Sequence, residues 1–262
     1  MKSTNLKKSF NVDKLKVEVY GDRASMGAQA AGMVSVRLRE LLSSKGEVRM
    51  IFAAAPSQNE MLDALATSPG INWNRVTAFH MDEYVGLMKG AEESFGTFLN
   101  RRIFSRVEFG KVHYINSAPE SVTDECERYS RLLGEAPIDI VCLGIGENGH
   151  IAFNDPGVAD FNDPHLVKVV RLDDKSRRQQ VNDGCFPSSN DVPREAISLT
   201  VPALVGGGFL CAVVPGPTKA EAVRATLNSD VTTECPATIL RSHSDAVLFL
   251  DVDSASRIEH LG

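Results

Sequence analysis

Short apolar runs recur along this chain, and between most of them lie stretches whose apolar residues repeat at helical spacing. Leu15 to Tyr20, Val48 to Ala54, Val76 to His80, Val112 to Ile115, Ile138 to Leu143, Val167 to Leu172, Phe209 to Val214 and Ala246 to Leu250 read as strands. Helices are expected over Ala24 to Ser43, Asn59 to Leu65, Phe95 to Phe104, Val122 to Leu133 and Lys219 to Leu227. The first shows the period most clearly, with Met26, Ala30, Met33, Val34, Leu38, Leu41 and Leu42 on one side. Strands that alternate with helices imply a mostly parallel sheet covered on both faces, an α/β fold. The connections are short and no internal repeat or linker interrupts them, so residues 15–262 read as a single domain. Residues 1–14 read as a flexible N-terminal tail. Residues 155–190, polar and rich in Asp, Asn and Pro, are expected to form a flap over a site.

Composition removes several classes of function. No apolar stretch in the 262 residues approaches the roughly 18 needed to span a bilayer, so no membrane role is expected. The net charge is −6, and Arg177-Arg178 is the densest basic spot after the N-terminus, so no nucleic acid partner is expected. The five cysteines are odd in number and none falls in C-x-x-C spacing, which fits a reducing, cytoplasmic setting. The six histidines are scattered, without the spacing of a metal site, and no metal is expected.

Four segments follow strands and carry chemistry. Leu143 to Pro156 breaks from an apolar run into a loop with Gly144, Gly146 and Gly149, and delivers His150 between Asn148 and Asp155. Glycine lets backbone approach a ligand, histidine titrates nearest neutral pH, and ligands of parallel sheets sit beyond the strands' carboxyl ends. The alternative is a histidine that only satisfies loop backbone. His80 to Leu87 places Asp82 and Glu83 at another strand end; such acids are either solvated or part of an acid/base set with His150. Val213 to Ala222 runs from strand through Pro215-Gly216-Pro217 into a helix with Lys219 at its start, an anion cradle or an ordinary turn. Ala53 to Glu60 makes a similar turn, where Ser57 and Glu60 have the spacing of a helix capping box.

Together these residues resemble the glucosamine-6-phosphate deaminase (isomerase) family. The likeness rests on Met81-Asp82-Glu83-Tyr84-Val85-Gly86-Leu87, on Leu143-Gly144-Ile145-Gly146 through Gly149-His150-Ile151-Ala152-Phe153-Asn154, and on Gly216 to Lys219, and runs from about Val48 to Val252. It implies a Rossmann-like open sheet, often assembled into homo-oligomers, and conversion of an amino-hexose 6-phosphate to the ketose phosphate and ammonia without a cofactor. By the same resemblance His150 opens the sugar ring, Asp82 shuttles the C2 proton to C1, and Asn148 and Asp155 orient the histidine. Lys219 binds phosphate, with Ser57, Gln58, Gly146 and Gly149 around the substrate. The sister branch, 6-phosphogluconolactonase, would instead use His150 to activate water. A sugar-phosphate sensor is the non-enzymatic rival; no helix-turn-helix segment precedes Leu15.

The chain also departs from that family's pattern. Asp155 stands where the family has Glu, so its reach to His150 is expected to need backbone movement or a water. Asn148 stands where many members have Asp. Ala54-Ala55-Pro56-Ser57 replaces a Thr-Gly-rich turn, and proline removes an N–H donor. No arginine stands near Asn182, where the family places one against phosphate; Arg177 or Arg178 would have to substitute. Lys168 falls near the family's regulatory site.

Overall fold

The computed structural model describes residues 5–258. In chain order the strands are β1 (Leu6–Val12), β2 (Leu15–Tyr20), β3 (Val48–Phe52), β4 (Val76–His80), β5 (Asp82–Tyr84), β6 (Lys111–His113), β7 (Ile140–Leu143), β8 (Val167–Arg171), β9 (Glu195–Leu199), β10 (Phe209–Val214) and β11 (Ala246–Asp251). The α-helices are α1 (Arg23–Ser44), α2 (Asn59–Ala66), α3 (Phe95–Leu99), α4 (Val122–Gly134), α5 (Asp174–Asn182), α6 (Val201–Val205) and α7 (Ala220–Asn228). Eight strands form one sheet in the order β1-β2-β11-β10-β7-β3-β4-β6. All its pairings are parallel except β1 with β2.

The apolar runs are buried because both faces of the sheet are covered. Along β10, Phe209, Cys211 and Val213 enter one core, while Leu210, Ala212 and Val214 enter the other. β7 divides in the same way, Ile140 and Cys142 against Val141 and Leu143. This two-residue alternation follows from the pleat, and it explains why these strands carry no polar face. Helix α1 is capped by Asp22, whose carboxylate accepts the Ser25 N–H, and lays Met26, Ala30, Val34 and Leu38 into the first core.

Three expectations need correction. The start of the chain is not a tail over its described part: residues 6–12 form β1, an antiparallel edge strand on β2, while residues 1–4 lie outside the described residues, as do residues 259–262 of the expected domain. Lys7, Lys8 and Asn11 lack the apolar signature because an edge strand needs only backbone pairing and one packed side. The segment expected as a flap holds β8 and α5. β8 lies outside the main sheet and pairs antiparallel with β9, which pairs in turn with β5, giving a small second sheet. Finally, Ser57 and Glu60 form no capping box. α2 begins at Asn59 with Gln58 at its N-cap position and no side-chain cap, and Glu60 instead accepts from Arg23 Nε at 2.7 Å.

Candidate active site

The chain order of the sheet reverses between β3 and β7. From β3 the next main-sheet strands, β4 and β6, are laid down to one side, whereas β7, β10 and β11 fall on the other. A crevice opens where the connections diverge, beyond the carboxyl ends of the strands. The segments that leave β3, β4, β7 and β10 all reach this edge. Ser57, Asp82, Gly146, His150 and Lys219 from those segments line one cavity, together with Gln179, Gln180 and Asp183 from α5 and its end.

The loop after β7 is built around its histidine. Gly146 N donates to His150 O at 2.9 Å, folding the loop back on itself. The ring of His150 lies against Gly146 so closely that a Cβ there would meet three ring atoms at 2.2–2.5 Å. Gly149 has φ +86°, and a Cβ on it would press on Cys235 Sγ at 2.6 Å. Ala152 also holds positive φ, at 48°, in a turn closed by the Ile151–Asn154 bridge. Asn154 Nδ2 pins that turn by donating to Ile151 O and Leu199 O. A strained turn of this kind persists only where its surroundings over-determine it.

His150 Nδ1 lies 2.8 Å from Asp155 Oδ1. The shorter acid therefore reaches the ring directly, without the bridging water that was one of the two expected means. Asp155 is fully buried. Burial by itself would push its carboxyl up, but hydrogen bonds from His150, Asn148 and Ser176, with the electrostatic attraction of His150, outweigh it and hold the group at about 2. Asn148 does not touch the ring: its Nδ2 donates to Asp155 at 3.0 Å and its Oδ1 accepts the His150 N–H at 3.1 Å. It thus steadies the carboxylate and the backbone rather than the imidazole. Ser176 Oγ donates to Asp155 and stands 3.2 Å from His150 Nδ1.

Asp82 begins β5, in register with Ser198 of β9. Its carboxylate takes no hydrogen bond among the described residues, and burial, followed by repulsion from Glu83, raises its pKa well above the usual carboxylate range. Glu83 turns away from the cavity and accepts the N–H groups of Tyr84, Phe95 and Gly96, tying β5 to the start of α3. Burial pushes it up to about 7 against those donors. Behind Asp82, His80 Nε2 accepts the Ile115 N–H at 2.9 Å, so the proton sits on Nδ1, which donates to the Asp82 carbonyl at 2.8 Å. Burial lowers the His80 pKa to about 4, which keeps this strut neutral.

Lys219 is 5% exposed and is the sole lysine or arginine that lines the cavity among the described residues. Burial lowers its pKa, while the carboxylates of Asp183 and Glu147 act in the opposite sense. Gln58, expected at the substrate, is fully buried and does not line the cavity; its Nε2 donates to Val213 O and so bridges two strand ends. Gly149 likewise shapes the loop without facing the cavity. Arg177 does not substitute for a phosphate-binding arginine, because its guanidinium donates to Ser189 O and Val192 O, and Arg178 is exposed on the helix surface. Reading the sequence missed Ser176, Gln179, Gln180 and Asp183. The one signal available was the N-cap pattern of Asp173 with Ser176, which opens α5.

A family model described as glucosamine-6-phosphate isomerases/6-phosphogluconolactonase matches residues 21–249. The chain belongs to this family. Glucosamine-6-phosphate deaminases from Streptococcus suis (strain 05ZYH33) and Listeria monocytogenes (serotype 4a, strain HCC23) are 32% and 35% identical to it. The first similarity spans 84% of this chain and 92% of the relative; the second spans 81% and 89%. Among solved structures, a monomeric glucosamine-6-phosphate deaminase superposes with a TM-score of 0.83 at 28% identity, covering 92% of this chain and 98% of that one. A 6-phosphogluconolactonase from Thermotoga maritima gives 0.73 at 21% identity, with 91% and 100% covered, a likeness of fold alone. Membership in the glucosamine-6-phosphate isomerase/6-phosphogluconolactonase family thus agrees with the α/β architecture and with the strand-end location of the cavity. No helix among the described residues is long and apolar enough to cross a membrane. The described residues hold no cluster of three or more His, Cys, Asp or Glu placed to bind a metal ion.

Proposed function

We propose that this protein is a deaminating aldose–ketose isomerase of amino-hexose 6-phosphates, with glucosamine 6-phosphate as the reference substrate. The reaction consumes water and yields fructose 6-phosphate and ammonia, in a cytoplasmic setting and without a cofactor. The observation that carries the reading is the convergence of Asp82 and His150, distant in sequence, on one cavity. Opening an amino-sugar ring and moving a proton from C2 to C1 need two separate proton carriers.

In this reading His150 moves a proton to the ring oxygen, and Asp155 holds the imidazole through Nδ1 and supports its positive form. Asp82 then takes the C2 proton. The electrons of that C–H bond form a C1–C2 double bond as the C1 carbonyl π bond opens onto its oxygen, which takes a proton from the substrate's own ammonium group, giving an enolamine. Asp82 returns the proton to C1, which leaves an imine at C2; water adds there and ammonia leaves. A carboxylate held in apolar surroundings is a stronger base once ionised, and the direction of the Asp82 shift supports this role. Ser176 and Asn148 act through Asp155 and are positioning residues.

The test is ammonia release from glucosamine 6-phosphate carrying deuterium at C2. Isomerisation moves the label to C1 or exchanges it with water, and Asp82→Asn abolishes turnover while leaving binding largely intact. Retention of the label at C2 during turnover, or near-normal ammonia release by Asp82→Asn, refutes the proposed base.

A further inference from the structure

The cavity carries an electrostatic arrangement that the proton transfers do not use. Lys219 follows β10 and Asp82 follows β4, three strand spacings apart, so their backbones start roughly 14 Å from one another at about 4.8 Å per strand. The part of the substrate near Lys219 is therefore remote from the C1–C2 chemistry. Asp183, at the end of α5, lines the cavity on the same side: its charge acts on Lys219, and its Oδ2 accepts from Gln179 Nε2 at 3.3 Å.

This end is poorly suited to a phosphate dianion. Its single ammonium shares the cavity with the carboxylate of Asp183, the two standing more than 4 Å apart, and the charges of Asp183 and Glu147 both act on Lys219. The two turns that flank it have several of their backbone donors already bonded, which leaves Ser57 N and Thr218 N. Pro56 and Pro217 open those turns without an N–H. Gln58 N and Asn59 N are bonded to Ala55 O and Pro56 O. Lys219 N and Ala220 N are bonded to Gly216 O and Pro217 O, and Gly216 N donates to Asp251. A neutral hydroxyl suits such a pair better, because a carboxylate accepts its proton and an ammonium donates to its lone pair. A dianion would place like charge beside Asp183.

We propose that Asp183 is a specificity-determining residue that removes the requirement for a C6 phosphate, so that the enzyme also deaminates an amino hexose with a free C6 hydroxyl. The inference rests on the deaminase reading above, and the reaction is otherwise unchanged: amino hexose and water give ketohexose and ammonia. Asp183 accepts the C6 hydroxyl and Lys219 donates to its oxygen.

The experiment measures kcat/KM for ammonia release from glucosamine 6-phosphate and from glucosamine, in the wild type, Asp183→Asn and Asp183→Arg. The ratio of the two values is internal to each protein, so a loss of folded enzyme cancels. The wild-type ratio, phosphate over free sugar, is expected to be no more than about 10, and Asp183→Asn raises it at least about threefold, Asp183→Arg further. A wild-type ratio above that bound, or one that Asp183→Asn leaves unchanged, overturns the specificity assignment and leaves the deaminase reading standing. Ammonia from neither sugar overturns both.

Discussion

Replacing Asp155 by Asn isolates what the buried carboxylate contributes to His150. The side chain keeps its size but loses its charge; the donors from His150, Asn148 and Ser176 all meet one oxygen, Oδ1, which the amide oxygen can replace, so the change is chiefly one of charge. The wild-type carboxyl titrates at about 2 against an ordinary 3.8. At about 1.4 kcal/mol for each tenfold change in proton affinity, folding favours its ionised form by roughly 2–3 kcal/mol. The pKa is depressed on folding, so this contribution is fully present above the unfolded value of 3.8 and is lost as pH falls through about 2. Urea denaturation should therefore show Asp155→Asn less stable by roughly 2 kcal/mol at pH 7, and by about half as much at pH 3. The same attraction supports the positive imidazole during ring opening, so kcat on the cyclic sugar should fall by roughly 30- to 100-fold. A stability difference that does not change between pH 7 and pH 3, or a kcat within about threefold of wild type, would refute the coupling.

Further outcomes follow from the same geometry. Asp82 must be ionised to act as a base and its pKa is raised, so the acid limb of kcat/KM should lie at higher pH than an ordinary carboxylate would give; Glu83→Gln removes the like charge beside it and should move that limb downward in a pH-rate profile. Gly146→Ala drives a Cβ into the His150 ring and should lower kcat by at least about tenfold while circular dichroism stays native. Ser176→Ala removes one donor from Asp155 and should cost about 1 kcal/mol in thermal or chemical denaturation, with a several-fold fall in kcat; an unchanged kcat would remove Ser176 from the positioning set.

How much was legible in the chain differed between its parts. The central strands announced themselves because they are buried on both faces: β2, β4 and β10 fall at the expected bounds, Leu15–Tyr20, Val76–His80 and Phe209–Val214. The His150 loop was legible because a helical or strand period stops abruptly at a glycine-rich run. By contrast β1, β5, β9, α5 and α6 were missed. β5 spans three residues, Asp82–Tyr84, too short for a period, and α5 reads Asp-Lys-Ser-Arg-Arg-Gln-Gln-Val-Asn, with almost no apolar residue to mark its buried side. That side buries Ser176, Gln179 and Gln180, polar groups satisfied by the site itself.

The sequence by itself determined the layered α/β architecture and the titratable residues Asp82 and His150 that follow strand ends, because hydrophobic period and loop composition are local properties. Tertiary structure alone decided that Asp155 touches His150 directly, that Gln58 is locked away from the cavity, and that Asp183 faces the same cavity as Lys219. Those outcomes depend on how β7, β10 and α5 meet across the sheet. Contact distances between segments remote in the chain are set by packing, and no local pattern encodes them.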